Sequence, residues 1–260
     1  MSRVRSIAVL WILVCPLAAH AATVQLRPVA DATLFAPSGD RASGSGAFLF
    51  IGSIASGEAR RALLRFDLSG IPPGSTIQAA SLRLVVNRAG VGSSPEDRAL
   101  LYPLTAAWGE GPSESSGGGG DVATAGDVTW TDRVYLAQPP RPWAQAGGDY
   151  AGSPASVTMP GTGVHTLQDS PTLRQHIQAW VDNPASNHGW LLRDDEVRSQ
   201  NAKRLFSREG GPDAPMLTIE YTPPAMSDNG DVPLPGWALA LLGGALVSAV
   251  QRRRNGARKG

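Results

Sequence analysis

Aromatic side chains are the residues of this sequence best suited to binding a ligand. Trp143 and Tyr150 lie in a Pro- and Gly-rich segment, residues 139–154, where an aromatic ring is less easily buried than in a strand. An exposed ring offers a flat face on which a pyranose can stack, much as bases stack on aromatic platforms. We therefore predict a carbohydrate-binding face at Trp143 and Tyr150. The alternative is that these rings cover the core as a lid.

Three arginines add a second kind of binding chemistry. Arg60, Arg61 and Arg65 lie within one short segment, and their guanidinium groups could pair with the carboxylates of uronic acids. Cross-strand ion pairs with acidic residues of the same protein are the alternative.

One acidic run could hold a structural calcium ion, because Ca²⁺ takes oxygen ligands from carboxylates. Asp194, Asp195 and Glu196 form the densest acidic run, and Asp31 is a further candidate ligand. The alternative is a solvated loop whose charge is offset by neighbouring basic residues.

Catalytic templates are missing from the sequence. No serine has glycine at both second neighbours, and no two histidines have the spacing of a metalloprotease helix. We predict that the protein has no catalytic residues and is not an enzyme.

Composition favours an all-β protein. The chain has 260 residues, and its 30 Gly and 21 Pro are too many for a helical bundle. Its 42% of hydrophobic residues is too high for a disordered chain. All 22 acids fall between Asp31 and Asp231, whereas seven of the 23 bases lie at the two ends and 16 between them. An acidic middle argues against nucleic acid as a partner.

Apolar residues recur mostly with period two between residues 23 and 221, which indicates strands with one buried face. One segment differs, because Leu173, Ile177, Trp180 and Val181 have helical spacing after a capping Ser170. The sequence therefore predicts a two-sheet β-sandwich or jelly roll over residues 22–222, with one amphipathic helix at 171–181. The predicted strands cover residues 23–28, 48–51, 60–67, 79–87, 99–104, 128–131, 189–193, 203–208 and 216–221.

The N-terminal 21 residues have the pattern of a secretory signal peptide. Two arginines precede an apolar run at 7–17, and Ala19 and Ala21 supply the small residues that signal peptidase accepts. We expect cleavage after Ala21, export from the cytoplasm and a mature domain without cysteine, because Cys15 is the only cysteine.

The C-terminal segment, residues 232–260, has the pattern of a membrane-spanning helix. After a polar linker at 223–231, residues 232–250 carry no charge, and five bases follow. As a helix this run would span about 28 Å, close to the thickness of a bilayer's hydrocarbon core. The bases would stay in the cytoplasm and the acidic domain outside. A transmembrane anchor of the cell envelope is the plain interpretation.

The same segment resembles a PEP-CTERM sorting signal. Val232, Pro233 and Pro235 begin a short motif that is followed by the apolar run and the arginine cluster. This resemblance implies recognition and cleavage by an exosortase-type enzyme, with transfer of the protein to the cell surface or outward. Retention of the segment as an anchor is the alternative.

The order of motifs along the mature domain resembles a DNRLRE-type domain. The segments that carry the resemblance are residues 31–34, 60–68, 71–77, 79–84, 108–110, 128–130, 178–180, 187–192, 206–209 and 215–221. The resemblance implies a secreted β-sandwich, of the kind found in surface proteins and polysaccharide-degrading enzymes. Some relatives are classed as carbohydrate-binding modules for alginate-like polymers.

Three functions are compatible with these patterns. The first is a non-catalytic module that binds an extracellular polysaccharide, neutral or acidic. The second is a structural component of the surface or biofilm matrix that binds no sugar. The third is a polysaccharide-degrading enzyme, which a cleft with two facing carboxylates would favour.

Overall fold

Strands make up most of the regular structure in the computed structural model, which describes residues 20–194 and 196–225. The prediction of a mainly β protein is confirmed for this part of the chain. The strands in chain order are β1 (Ala22–Leu26), β2 (Pro28–Phe35), β3 (Arg41–Ala42), β4 (Phe48–Ser53), β5 (Ala59–Phe66), β6 (Thr76–Ala89), β7 (Arg98–Pro103), β8 (Asp121–Val122), β9 (Asp132–Val134), β10 (Arg141–Pro142), β11 (Ala155–Thr158), β12 (Gly163–Leu167), β13 (Trp190–Arg193), β14 (Lys203–Phe206) and β15 (Met216–Thr222).

Eleven of these strands pair into one antiparallel sheet. Its order is β1-β15-β6-β14-β4-β5-β13-β7-β11, with β12 paired to β6 and β2 paired to β5. The prediction assumed two separate sheets, but β4 pairs with β14 and also, through Gly52 and Ser53, with β5. The sheet curls so that side chains from both of its halves meet in one core. The other four strands form two short ribbons, β9 with β10 and β3 with β8.

Strand β5 is buried on both faces, and this sets the position of the candidate site. Ala62, Leu64 and Phe66 belong to the main core between the halves of the curled sheet. Leu63 points the other way, because successive side chains alternate across a strand. It lies in a second apolar cluster that also contains Trp108, Val128 and Trp143 from the long connection after β7.

The helix α1 (Pro171–Asp182) agrees closely with its prediction. The Ser170 hydroxyl accepts a hydrogen bond from the backbone N–H of Leu173 at 3.2 Å, and Pro171 lies in the first turn. Leu173, Ile177 and Trp180 face the main core. Among the described residues, α1 is the one α-helix; short 3-10 turns occur at Pro184–Ser186 and Gly211–Asp213.

Side chain to backbone bonds account for two differences from the predicted elements. Residues 128–131 form a turn rather than a strand, because the Thr129 hydroxyl accepts from the backbone N–H groups of Thr131 and Asp132. The glycine-rich stretch 109–126 carries no predicted strand, but it contains β8 (Asp121–Val122), which pairs with β3. There the Asp127 carboxylate accepts hydrogen bonds from the backbone N–H groups of Ser113 and Thr124.

Both predicted targeting segments fall mainly outside the described residues. The signal peptide at 1–21 is described only at its last two residues, and the linker at 223–231 only as far as residue 225. The sorting or transmembrane segment at 232–260 lies wholly outside. Over 20–194 and 196–225, no helix has both the length and the apolarity that a bilayer span requires.

Candidate functional site

The guanidinium group of Arg61 is the centre of the candidate site. Its Nε and Nη2 donate to the two carboxylate oxygens of Glu196 at 2.7 and 2.9 Å, which is a bidentate ion pair. Its Nη1 donates to the backbone carbonyl of Gly147 at 2.7 Å. Arg61 lies on the same face of β5 as Leu63, so the strand's alternation directs it toward the second apolar cluster.

Two aromatic rings flank this guanidinium. Arg61 Cζ lies 4.7 Å from the ring centroid of Trp130 and 5.8 Å from that of Tyr150. Both distances are within the range of about 6 Å at which a cation is attracted to an aromatic face. Trp130 and Tyr150 are both partly buried against the second apolar cluster.

Tyr150 is held by its backbone, its ring and its hydroxyl. Its backbone forms a β-bridge with Leu104, and its ring centroid is 4.8 Å from that of Tyr102. Its hydroxyl oxygen accepts a hydrogen bond from Arg193 Nη1 at 2.8 Å. Arg193 Nη2 also lies 3.1 Å from Glu196, so Glu196 bridges two arginines. The phenolic hydrogen of Tyr150 makes no described bond and can be donated to a ligand.

The loop 144–151 is fixed by one carboxylate. Asp149 Oδ2 and Oδ1 accept the backbone N–H groups of Ala144 and Gln145 at 3.0 and 2.8 Å. The Asp149 carbonyl accepts from the backbone N–H of Thr105 at 2.9 Å. The loop is therefore ordered without a ligand, and a bound molecule would not have to supply that ordering energy.

These groups line an open cavity of about 700 Å³, which we call the Arg61–Tyr150 cavity. Its walls include Arg61, Thr105, Gln145, Gly148, Asp149 and Tyr150. They combine an aromatic ring with hydroxyl, amide, carboxylate and guanidinium groups. Sites for small polar ligands have this mixture of apolar surface and a few placed polar groups.

No protein-family model matches the sequence, and no curated protein sequence is significantly similar to it.

The predicted carbohydrate-binding residues do not all meet in this cavity. Arg61 and Tyr150 come together there, but Trp143 is only 5% exposed. Trp143 packs in the second apolar cluster and its indole N–H donates to the Thr129 carbonyl at 3.0 Å. The expectation of an exposed Trp143 is therefore wrong, and of the two alternatives the structure has this ring covering the core. Burial is possible in a Pro- and Gly-rich segment because the indole N–H has found an acceptor.

Arg60 and Arg65 lie apart from the Arg61–Tyr150 cavity. Arg60 is buried, sits over the Phe35 ring and donates from Nε to the Gly118 carbonyl at 2.6 Å. Arg65 lies over the Trp108 ring at 5.8 Å and lines a different cavity, beside Phe66 and Trp180. Neither arginine therefore lines the Arg61–Tyr150 cavity.

The candidate calcium ligands are engaged in other contacts. In the described part of the chain, no three His, Cys, Asp or Glu side chains converge in a way that could hold a metal ion. Asp194 accepts from the Glu196 backbone N–H at 2.8 Å and from the Asn201 amide, while Glu196 pairs with the two arginines. Asp195 lies outside the described residues.

Asp31 belongs to a separate acidic cluster. Its Oδ2 accepts the backbone N–H of Arg208 at 2.7 Å, and its own N–H donates to Glu110 at 2.8 Å. Burial, reinforced by the charges of Glu209 and Glu110, raises the pKa of Asp31 to about 8. Its Oδ2 is taken by the Arg208 backbone N–H, and among the described residues no group of three His, Cys, Asp or Glu side chains that includes Asp31 converges as a metal site. Asp31 does not join Asp194 and Glu196 in a calcium site.

Trp130, Gly147 and Arg193, which contact Arg61 or Tyr150, were not among the predicted binding residues, and neither were the wall residues Thr105, Gln145, Gly148 and Asp149. Glu196 was proposed as a calcium ligand, and it is instead the partner of Arg61, 135 positions earlier in the chain. Local periodicity carries no information about such a distant pair. The one local signal was the sequence from Gly147 to Tyr150, where two glycines before Asp and Tyr mark a tight turn.

Proposed function

We propose that this protein is an exported, non-catalytic module of the cell surface or extracellular matrix that binds polysaccharide in the Arg61–Tyr150 cavity. The observation that carries the proposal is the packing of the Arg61 guanidinium against Trp130 and Tyr150 at the wall of that cavity.

The unused hydrogen-bonding capacity at the cavity suits a sugar. Arg61 has five N–H groups, and three of them donate to Glu196 and Gly147. Two N–H groups of Arg61 and the phenolic hydrogen of Tyr150 remain for sugar hydroxyls. The Tyr150 ring provides apolar surface for the C–H face of a pyranose.

Charge at the cavity does not demand an acidic sugar. The Arg61 guanidinium is already paired with Glu196, and the Asp149 carboxylate lines the same cavity. A polysaccharide with or without carboxylates can therefore be accommodated, and the carboxylate of a uronic acid would be attracted to Arg61 and repelled by Asp149.

We also propose that the curled sheet is the two-layer sandwich of a DNRLRE-type domain, spanning residues 22–222.

Export of this domain would follow cleavage by signal peptidase after Ala21. The segment at 232–260 would then be cut by an exosortase-type enzyme at a PEP-CTERM-like signal, or retained as a transmembrane anchor.

One observation favours a second candidate, a structural component of the surface or biofilm matrix that binds no sugar. Trp108, Trp143, Trp180 and Trp190 are all buried, so most indole rings pack in the cores and are not on a binding face.

A polysaccharide-degrading enzyme has less support. Among the described residues that line the Arg61–Tyr150 cavity, Asp149 is the one carboxylate, where glycoside hydrolysis uses a pair.

Affinity electrophoresis of the full-length chain tests the proposal. The protein is run in mild detergent through gels containing neutral and acidic polysaccharides, beside Tyr150→Ala and Tyr135→Ala. We expect retardation in at least one gel, lost in Tyr150→Ala because the ring and its hydroxyl are removed. Tyr135 does not line the Arg61–Tyr150 cavity, so its variant should migrate like the wild type. Unretarded migration in every gel, or equal retardation of Tyr150→Ala, would contradict the proposal and favour the structural role.

A further inference from the structure

A second cavity, of about 330 Å³, shares no lining residue with the Arg61–Tyr150 cavity. It lies where the end of β4, the end of β6 and the start of β14 meet the glycine-rich stretch around Gly117. We call it the Arg88–Arg204 cavity.

Every charged side chain that lines this cavity is cationic. They are Arg88, Lys203 and Arg204, and no aspartate or glutamate of the described part of the chain lines the cavity. The chain between its two basic ends has an excess of acids, so a cavity lined only by basic charged residues departs from the average composition of that part of the chain. Such a local excess attracts and retains anions.

The three cations differ in whether a carboxylate of the protein already pairs with them. Lys203 is 2% exposed, and its ammonium donates to Asp97 at 2.6 Å and to the Asn201 carbonyl at 3.2 Å. Its charge is therefore already paired within the protein.

The two arginines have no such carboxylate partner within the described residues. Arg204 donates from Nε to the neutral amide oxygen of Asn87 at 2.9 Å, and its Cζ lies 4.1 Å from the Phe48 ring centroid. These contacts fix the guanidinium and leave its terminal N–H groups available. Arg88 is exposed at the rim.

Apolar side chains complete the cavity. Phe50, at 7% exposed, and Ile54 provide apolar surface, and Val91 is 92% exposed at the rim. An isolated exposed valine needs no explanation, but beside unpaired guanidinium groups it supplies contact area for the carbon part of a ligand. The volume is at the lower end of the range for small-molecule sites, about 300–1,000 Å³.

We propose that the Arg88–Arg204 cavity binds a compact organic oxyanion, with its carboxylate, sulfate ester or phosphate ester between the two guanidinium groups and its carbon skeleton on Phe50 and Val91. Guanidinium forks match the oxygen spacing of all three groups. The site is independent of the polysaccharide cavity, so either proposal can fail without the other.

Isothermal titration of the full-length chain with four probes tests this site. The probes are glucuronate, glucose sulfate, glucose phosphate and, as the neutral control, glucose. We expect at least one anion to bind, with affinity that falls as salt is raised, and glucose not to bind. The anion that binds best identifies the source as a sugar acid or an ester. Equal binding of glucose, or binding by none of the three anions, would overturn the proposal.

Matched arginine variants assign the binding to this cavity. Arg88→Gln and Arg204→Gln should each weaken anion binding about tenfold, because each removes one of two charged donors. Arg98→Gln is the control, since Arg98 is an exposed strand arginine outside the cavity and should bind like the wild type. Thermal unfolding of each variant shows whether it is folded. Wild-type affinity in both cavity variants would overturn the assignment, as would equal weakening in Arg98→Gln.

Discussion

No side-chain carbon fits between Gly147 and Trp130: a Cβ at position 147 would lie 2.7 Å from Cζ2 of the indole ring and 2.6 Å from Arg61 Nη1. Gly147 also has a φ of +91°, a conformation that residues with a Cβ rarely adopt. Since the Gly147 carbonyl accepts from Arg61, the missing side chain lets the loop hold the guanidinium directly against the ring. This contact sets the position of the Arg61 guanidinium at the wall of the Arg61–Tyr150 cavity.

Substituting Gly147 should therefore lower the free energy of unfolding by more than backbone strain alone would. We expect Gly147→Ala to lower the free energy of unfolding by about 2–4 kcal/mol, from the left-handed conformation and from crowding against Trp130. Denaturant unfolding measures the change. Gly152→Ala is the matched control, because Gly152 has a φ of +80° with no atom near its Cβ position. If the two variants lose equal stability, the close packing of Gly147 contributes nothing.

Asp31 should make the protein less stable as the pH rises. Burial raises its folded-state pKa to about 8, above an unfolded value of about 3.9. Between these values the folded state binds more protons than the unfolded state, so the contribution is full below about pH 4 and is lost as the pH rises through about 8. Asn at this position stays neutral and can still accept the Arg208 N–H. Asp31→Asn should thus gain stability relative to the wild type across that interval.

Urea unfolding at a series of pH values checks this dependence. Asp67→Asn is the control, because the Ser69 backbone N–H lowers the pKa of the exposed Asp67 carboxyl and its dependence has the opposite sign. A constant difference between Asp31→Asn and the wild type from acid to alkaline pH would show that Asp31 ionises normally in the folded protein.

His176 should destabilise the protein in mild acid. It is buried on α1, and its Nδ1 accepts a hydrogen bond from the Trp190 indole N–H at 3.2 Å. Burial lowers its pKa below the unfolded value of about 6.5, against the opposing effect of the Ser153 carbonyl. The stabilisation is complete above about pH 6.5 and is lost as the pH falls through the folded-state pKa.

Two variants separate the hydrogen bond of His176 from its titration. His176→Asn can keep an acceptor for Trp190 but does not titrate, so we expect it to be less sensitive to acid than the wild type. His176→Ala leaves the buried indole N–H without this acceptor and should cost about 1–3 kcal/mol at neutral pH. Thermal unfolding between neutral and mildly acidic pH measures both. An unchanged acid sensitivity in His176→Asn would refute the role of His176.

Local patterns in the sequence were enough to predict the elements that depend on local physics. The capping hydroxyl of Ser170 and the apolar spacing after it fixed α1, and alternation located β5, β6 and β15. The joining of the sheet halves could not be predicted, because it depends on β4 pairing with strands from distant parts of the chain.

The candidate site was predictable only in part, for the same reason. Tyr150 and Arg61 were identified from residue type, but burial of Trp143 depends on the Thr129 carbonyl, and the partner of Arg61 lies beyond β13. The sequence predicted the Glu196 carboxylate as a calcium ligand, whereas in the structure this carboxylate forms ion pairs with Arg61 and Arg193. Residue types in the sequence indicate which side chains could bind a ligand, and long-range contacts decide which of those side chains are exposed or paired within the protein.

Mapping of amide chemical shifts tests the central claim most directly. The isotope-labelled full-length chain is titrated with oligosaccharides from the polysaccharide that retards it most. Binding in the Arg61–Tyr150 cavity predicts that the largest shifts fall on residues 144–151 and on Thr105 and Ala106, and that they disappear in Tyr150→Ala. Saturable shifts centred on other residues, or none with any oligosaccharide, would contradict the account.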